Sequence, residues 1–459
     1  MTQLQLVAPD QQGDQIDRLI AKYGERVPRY TSYPTAPNFK ADITAETYAS
    51  WLAELDAAVP VSAYIHIPFC RSLCWYCGCN MSVARSNRPI SDYVDWLIEE
   101  IKLVRLHVGQ RLTFGALHFG GGTPNALPPS DLLRLSAELG RSFDIASNAE
   151  IAAEIDPRVL TAEWIKAAVD AGLNRVSLGI QDFDARVQRA VNRIQPFEQT
   201  AWSVEAFRKA GIASINMDLI YGLPFQTTES VAHTVREVVT LAPDRIALFG
   251  YAHVPWMKPA QRLLPEAELP GSRQRFDQQD VAARILVDAG YVRIGLDHFA
   301  RAGDALAGGH IRRNFQGYTG DAHTTLLGFG SSSIGQLPQG YLQNFSKTPE
   351  WRRKLSDGEL PVARGIALNN DDRFRAELIS RLMCDLAVDI AELATHFGFS
   401  PDGLASDFVK LKEMESDRLV RVDGERIVVT ELGRPFVRSI CATFDKYLAS
   451  SSGRHSQGV

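Results

Sequence analysis

Cys70-Arg71-Ser72-Leu73-Cys74-Trp75-Tyr76-Cys77-Gly78-Cys79 decides how this chain is read. Four of its six cysteines fall within these ten residues, spaced C-x3-C-x2-C-x-C. Thiols at this density hold a metal, exchange disulfides or sit idle in a core, and idle core cysteines do not cluster. The preceding run Val61-Ser62-Ala63-Tyr64-Ile65-His66-Ile67-Pro68-Phe69 reads as a buried strand, so the cysteines lie on the loop after it. α/β proteins place their chemistry at such strand ends. Structural zinc wants four tetrahedral ligands, usually from two separated pairs of cysteines, and Cys384 and Cys441 are single. A disulfide framework belongs to small secreted chains. Iron–sulfur clusters take their thiolates from short runs of this kind.

The spacing of Cys70, Cys74 and Cys77 resembles the signature of the radical S-adenosylmethionine (radical SAM) superfamily. The resemblance implies a 4Fe–4S cluster with three irons held by these cysteines and the fourth left to chelate SAM. A fourth cysteine ligand would close that corner. Tyr76, between the last two ligands, matches an aromatic position that packs beside adenine in the superfamily.

The chain's 459 residues exceed one ordinary domain. A hydrophobic content of 45% and a charged content of 22% are those of a globular protein. Lys plus Arg number 49 against 54 Asp plus Glu, a formal charge of −5 that offers no general attraction to nucleic acid or anionic membrane. An acidic substrate would need a local basic patch. No charged-then-apolar leader opens the sequence and no apolar run could span a bilayer, so a cytoplasmic protein is expected.

Residues 1–27 are weakly patterned, with one helix expected around Asp14–Tyr23. Pro28-Arg29-Tyr30-Thr31-Ser32-Tyr33-Pro34-Thr35-Ala36-Pro37 carries too many prolines for a helix and reads as an extended strap, either a surface connector or a cover over a site. From residue 61 to about 335 short apolar strands alternate with amphipathic segments. The strands are Ala63–Ile67, Ala116–Phe119, Glu150–Ile155, Arg175–Ile180, Ser214–Leu219, Arg245–Phe249 and Val292–Leu296, with helices such as Ser91–His107, Asp131–Gly140, Thr161–Ala171 and Arg273–Ala289 between them. Repeated βα units predict a parallel sheet, as a barrel arc or a doubly wound sheet. After about residue 345 the alternation stops. Helices are expected at Asp371–Leu386, Asp389–His396 and Pro401–Met414, a β-like wing at Leu419–Val429, a last helix from Glu431 to about Leu448, and a disordered tail at Ser450–Val459. The expected domains are 1–54 (segment and strap), 55–345 (barrel) and 346–459 (mainly helical).

The residues just past the strands form a coherent set. Gly120-Gly121-Gly122-Thr123-Pro124 follows the second strand, where glycines let backbone approach a ligand. Glu154, then Asp156-Pro157, ends the third; Gln181 and Asp182, with Arg193 beyond, follow the fourth. Asp218 ends the fifth, and Ala252 and His253 follow the sixth. Each alone could cap a helix or pair with a neighbour. A series of polar strand ends points to one site.

Together the blocks Pro28–Pro37, Tyr64–Asn80, His118–Pro124, Glu154–Pro157, Ser177–Phe183, Asp218–Pro224 and Arg313–Tyr318 resemble the oxygen-independent coproporphyrinogen III oxidase family, from about residue 28 to 448. The family implies an α/β fold, an incomplete (βα)6 TIM-like radical SAM barrel with an N-terminal strap and a smaller, mainly helical C-terminal domain. By the likeness, Tyr64, Gly121, Glu154 and Ile334 match positions that bind the cluster-bound SAM, and Tyr76, Gly122, Thr123, Gln181, Arg193, Asp218 and Ala252 match positions around a second SAM. Cys79 is the family's extra cysteine, with a redox or proton role as the hypothesis. Two departures stand out: Gly250 where asparagine is usual before Tyr-Ala-His, and Arg312 where histidine is common.

The implied reaction converts two propionates of coproporphyrinogen III into the vinyl groups of protoporphyrinogen IX, in haem biosynthesis, with a 5′-deoxyadenosyl radical taking hydrogen and CO2 leaving. It needs an electron donor, a terminal acceptor and a tetrapyrrole, but no nucleic acid or membrane, and a monomer is expected. Four substrate carboxylates call for arginine forks. Candidates are Arg29, Arg262, Arg312 and Arg313, of which only Arg29 and Arg313 lie in blocks that match the family. The rivals are a related haem-binding chaperone, which generally lacks the fourth cysteine and the strap, and a radical SAM enzyme acting on another tetrapyrrole.

Overall fold

The computed structural model describes residues 9–448 except His310 and Gln316. The first strand, Val61–Ile67, is buried along nearly its whole length, as a strand of a parallel sheet covered on both faces must be. Beside it run Thr113–Gly121, Asp144–Ile155, Arg175–Gln181, Ser214–Tyr221 and Arg245–Gly250, all parallel and in chain order. These six strands are the ones expected, each joined to the next through helix. The helix Arg88–Val108 shows how the sequence builds the outer layer. Its Ile90, Tyr93, Val94, Leu97, Ile101 and Val104 recur at helical spacing and are buried, and Gly109 ends it at φ +74°.

The arc does not close. On its inner flank Leu326–Phe329 adds a further parallel strand beside the first, and Ile334–Leu337, Gly340–Asn344 and Val362–Ala367 continue antiparallel. On the outer flank the strand expected at Val292–Leu296 is found at Tyr291–Ile294, but it is an antiparallel edge strand. Only three residues separate it from its partner His298–Arg301, and so short a connection makes a hairpin, not a crossover. The sheet passes the boundary expected at residue 345 and ends at Ala367.

Beyond it a second core forms from the helix Asn370–Cys384, the helices Ile390–Phe397 and Ala405–Ser416, and a small sheet of Ala387–Asp389, Val420–Asp423 and Arg426–Val429. The expected last helix is shorter. Pro435 is tolerated only in a helix's first turn, so helical structure begins at Arg434–Phe436 and continues as Val437–Ala442. The tail Ser450–Val459 lies outside the described residues.

The N-terminal helix Pro9–Tyr23 and the strap join this second core and are not a loose connector. Tyr30 and Tyr33 are 4% and 2% exposed, packed with Phe374, Ile440 and Phe444. The Tyr30 hydroxyl donates to Asp445 (3.1 Å), and Arg438 donates to the carbonyls of Val27 and Pro28. Tyr30 takes φ +48°, a left-handed turn that buries its ring while Arg29 is left exposed. Among the described residues no helix is long and apolar enough to cross a membrane.

Candidate active site

The C-terminal ends of the six strands surround a cavity of ≈ 580 Å³. The cysteine loop forms one side of it. A two-strand bridge, Phe69–Cys70 with Ser82–Val83, pins its ends. Arg71 donates to the carbonyls of Ala84 (3.2 Å) and Ala126 (3.0 Å), and Asn192 Nδ2 donates to the Leu73 carbonyl (2.7 Å). Cys70, Cys74 and Cys77 all line the cavity, and each sulfur receives a hydrogen bond. Thr123 Oγ1 donates to Cys70 (3.2 Å), Arg158 and Arg193 to Cys74 (3.3 and 3.6 Å), and the Cys79 backbone N–H to Cys77 (3.4 Å).

That donor set suits anionic sulfur. Burial pushes the Cys70 thiol up to about 12, so a free thiolate there would be costly and a bound cation would have to hold it ionised. Hydrogen bonding from Cys79 pulls Cys77 down, and the same bond pushes Cys79 up. Three thiols spread along one loop fit a polynuclear cluster, where each thiolate takes its own iron. Cys79 is exposed and lines the cavity beside them.

The glycine run is tight for a steric reason. Gly121 has φ +116°, and a Cβ on Gly122 would lie 2.8 Å from the Phe69 carbonyl oxygen, so the second strand's end is pressed against the cysteine loop. The Gly121 N–H donates to Glu154 Oε2 (3.1 Å). Glu154 reaches His118 Nε2 at 3.4 Å, and the His118 ring stacks on Tyr64 at 5.9 Å. Tyr64 and Ile334 do not line the main cavity. They line a smaller one of ≈ 260 Å³ that shares Cys79, Gly121 and Glu154 with it.

On the opposite wall Gln181 takes φ +72°, an unusual backbone for a non-glycine residue, and faces the cavity. Asp218 accepts from Ser177 Oγ (2.8 Å) and Asn216 Nδ2 (2.7 Å), and burial raises its carboxyl. Arg193 is 6% exposed and donates to the Gly179 carbonyl. Tyr76 and Ala252 complete this side, tied together because Gln261 Nε2 donates to both their carbonyls (2.9 and 3.1 Å).

The structure thus gathers Cys70, Cys74, Cys77, Cys79, Tyr76, Gly121, Gly122, Thr123, Glu154, Gln181, Arg193, Asp218, Ala252 and Arg29 around one space. Arg313 is elsewhere. Its side chain is 5% exposed, 3.4 Å from Asp297 and stacked over the Tyr318 ring at 4.5 Å, on a separate cavity of ≈ 300 Å³. Burial works against ionised Asp297, yet Arg313, His298 and Arg29 hold it well below the carboxylate range.

Sequence reasoning missed three groups. Arg158 pairs with Asp156 (2.7 Å) while reaching Cys74; its only signal was a basic residue two places after the acid at a strand end. Lys258 donates to the Cys79 carbonyl (3.1 Å), and Gln261 holds the Tyr76 end of the same loop. Both lie in the irregular stretch after the sixth strand, where no periodicity marks them.

The radical SAM superfamily model matches residues 64–238, and the HemN C-terminal domain model matches residues 368–436. The chain is 48% identical over 446 residues to an oxygen-independent coproporphyrinogen III oxidase of Bradyrhizobium diazoefficiens, covering 96% of this chain and 99% of the relative. It is 40% identical over 436 residues to that of Escherichia coli, covering 94% and 95%. The solved structure of coproporphyrinogen III oxidase (HemN) from Escherichia coli, described as a radical SAM enzyme, superposes with a TM-score of 0.87 at 38% identity, over 92% of this chain and all of that one. With the cysteine loop, the open arc and the likeness over nearly its whole length, the chain belongs to the oxygen-independent coproporphyrinogen III oxidase family of the radical SAM superfamily.

Proposed function

We propose that this chain is a radical SAM oxidoreductase that decarboxylates two propionates of coproporphyrinogen III to vinyl groups, giving protoporphyrinogen IX in haem biosynthesis. The convergence of three hydrogen-bonded thiols and the polar ends of successive strands on one cavity carries the reading. Cys70, Cys74 and Cys77 hold the 4Fe–4S cluster. Bound there, the cluster would supply one electron to SAM, and SAM would supply the carbon-centred radical chemistry that removes hydrogen from a propionate. Loss of CO2 and of one further electron to an acceptor completes each vinyl group.

The residues of this chain bind, orient and exclude water. Gly121, Glu154, Tyr64 and Ile334, grouped at the smaller cavity, are suited to the amino-acid end and sulfonium of the cluster-bound SAM. Glu154 offers a carboxylate to an ammonium while the Gly121 N–H holds it in place. Tyr76, Gly122, Thr123, Gln181, Arg193, Asp218 and Ala252 line the main cavity, which we assign to a second SAM beside the substrate. Hydrogen abstraction needs reacting atoms about 3–3.5 Å apart, so rigid walls matter more than added charge. Arg29 binds the substrate's carboxylates; the pairing of Arg313 with Asp297 makes it a brace behind Arg29. Cys79, exposed and with its backbone N–H donating to the Cys77 sulfur, is suited to pass a proton or electron.

Anaerobic turnover of reconstituted protein with SAM, a reductant, an electron acceptor and coproporphyrinogen III tests the reading by product mass. Loss of two CO2 with formation of methionine and 5′-deoxyadenosine is expected. Unchanged substrate beside a verified cluster and bound SAM would refute it and direct attention to haem binding.

A further inference from the structure

Among the described residues four cationic side chains line the main cavity: Arg29, Arg158, Arg193 and Lys258. Two are answered inside the chain. Arg158 and Arg193 pair with Asp156 at 2.7 and 3.4 Å, and both lean on the Cys74 sulfur. Arg29 donates to the Gly250 carbonyl (2.8 Å). The Cβ side of that glycine is filled from behind by Tyr221 and by Arg275 of the helix Ser272–Asp288, neither of which lines the cavity. Lys258 is the fourth. Among the described residues it pairs with no carboxylate, and its ammonium makes one hydrogen bond, to the Cys79 carbonyl at 3.1 Å. An ammonium carries three donors, so two remain for whatever occupies the cavity.

The backbone holds this lysine in place. The N–H groups of Met257 and Lys258 both donate to the Val254 carbonyl (2.9 and 3.0 Å), and the Val254 N–H donates to Gln261 Oε1 (2.6 Å). Gln261 is 1% exposed, and its Nε2 holds the carbonyls of Tyr76 and Ala252. The stretch after the sixth strand is thus stapled to the cysteine loop at Tyr76 and again at Cys79. Part of the freedom that a lysine loses on binding an anion is already lost here. The neighbours say which anion would suit. Met257 is 61% exposed and lines the cavity, as do Val254 and Met81, two residues past Cys79. Thioethers left open to water at a cavity mouth make an adaptable apolar surface. A cation flanked by such a surface fits a carboxylate carried on an apolar ring system.

We infer that Lys258 is a specificity-determining residue: its ammonium binds one propionate carboxylate of the tetrapyrrole at the cavity mouth, with Met81 and Met257 against the pyrrole face. The inference rests on the substrate reading given above. It gives the substrate two separate anchors on one cavity, Lys258 beside the cysteine loop and Arg29 at the end of the sixth strand. Two anchors fix the orientation of a ring that one would leave free to turn, and orientation decides which propionate meets the radical. The amino-acid end of SAM also carries a carboxylate. Its sulfonium and ammonium leave SAM with a net positive charge, which Lys258 repels, whereas a molecule with four carboxylates is drawn in.

The test uses the reconstituted holoenzyme under anaerobic conditions. Coproporphyrin III, the stable aromatic form with the same four propionates, and its tetramethyl ester are titrated by porphyrin fluorescence. SAM is titrated by equilibrium dialysis, and iron content reports the state of the cysteine loop. Lys258→Met should weaken the tetra-acid about tenfold, the loss expected for a charge-assisted pair, and leave the ester, SAM and iron where the unsubstituted protein has them. Lys258→Gln keeps a donor for the Cys79 carbonyl without the charge. It should match the methionine variant, and it carries the comparison if that variant loses iron. Lys258→Arg should restore most of the affinity. Equal tetra-acid affinity in all variants overturns the anchor. Equal weakening of acid and ester reduces Lys258 to a staple of the loop and overturns it too. Weakened SAM with tetra-acid affinity intact gives the lysine to SAM and overturns the propionate. If the unsubstituted protein binds neither porphyrin, the substrate reading fails first and the anchor falls with it.

Discussion

The two walls of the main cavity are built on opposite plans. On the cysteine side, charge is answered from within the chain. Arg158 and Arg193 share Asp156 and lean on Cys74, and burial that would protonate Asp156 is overcome by both guanidiniums. On the strap side, Arg29 and Arg313 share Asp297, and Arg313 pairs with it directly at 3.4 Å. The first wall sets its guanidiniums against the sulfur of Cys74, and the second leaves Arg29 exposed on the cavity.

The largest effect that could break this contrast comes from removing a sulfur. Cys77→Ala should abolish turnover and strip the protein of iron, measured by metal analysis and cluster absorbance. Retained iron would mean that Cys79 steps in, and that the cysteine wall is less fixed than its hydrogen bonds imply. Next in size, Arg158→Ala removes a donor to Cys74 without touching a ligand. Loss of such an outer partner costs about 10–100-fold in metal retention or activity. The cluster's reduction potential should also fall, because a positive charge and an N–H···S bond are lost together. A redox titration followed by electron paramagnetic resonance would show an unshifted potential if Arg158 only braces Asp156.

Glu100 sharpens the contrast from the stability side. It is a buried carboxylate that its own chain supplies with donors: the Gly330 N–H (2.7 Å), Asn344 Nδ2 (2.6 Å) and Trp351 Nε1 (3.1 Å). Burial still pushes it up to about 7, from 4.5 in the open chain. The folded state therefore holds the proton more tightly. That stabilisation is complete below about 4.5 and is lost as pH rises through about 7, on the order of 3 kcal/mol in all. Glu100→Gln should flatten the fall in melting temperature between pH 5.5 and 8, and parallel curves would refute the assignment. The smallest effect is expected at Gly250→Asn, which pushes Tyr221 or Arg275 from its rotamer at a cost of about 0.5–1.5 kcal/mol. A two- to tenfold rise in KM for coproporphyrinogen III, with kcat little changed, is the expected reading.

The same division decided what could be read from sequence. The cysteine wall is written in contiguous blocks, because thiols, glycines and strand ends act through near neighbours: Cys70 to Cys79 on one loop, Gly121 and Gly122 against Phe69, Glu154 one strand over. The six parallel strands were legible for a similar reason, since burial on both faces leaves unbroken apolar runs. The seventh strand was seen but its direction was not, because apolar pattern does not encode pairing. The strap wall is assembled from residues 29, 221, 250, 275 and 438, and nothing local marks Arg275 among the charged residues of its helix. Arg313 was legible as a family position, but not its burial, which depends on Asp297 and Tyr318 folding over it.

The grip of Arg438 on the carbonyls of Val27 and Pro28 spans 410 residues. During synthesis the strap leaves the ribosome about 410 residues before the residue that seats it. At about 5–20 residues per second, that interval is roughly 20–80 s. The barrel sheet is complete only at Ala367, so a folded barrel can present its cysteines before the strap is anchored only during synthesis of the last stretch up to Arg438, roughly 4–14 s at that rate. Cluster insertion can therefore precede completion of the strap wall.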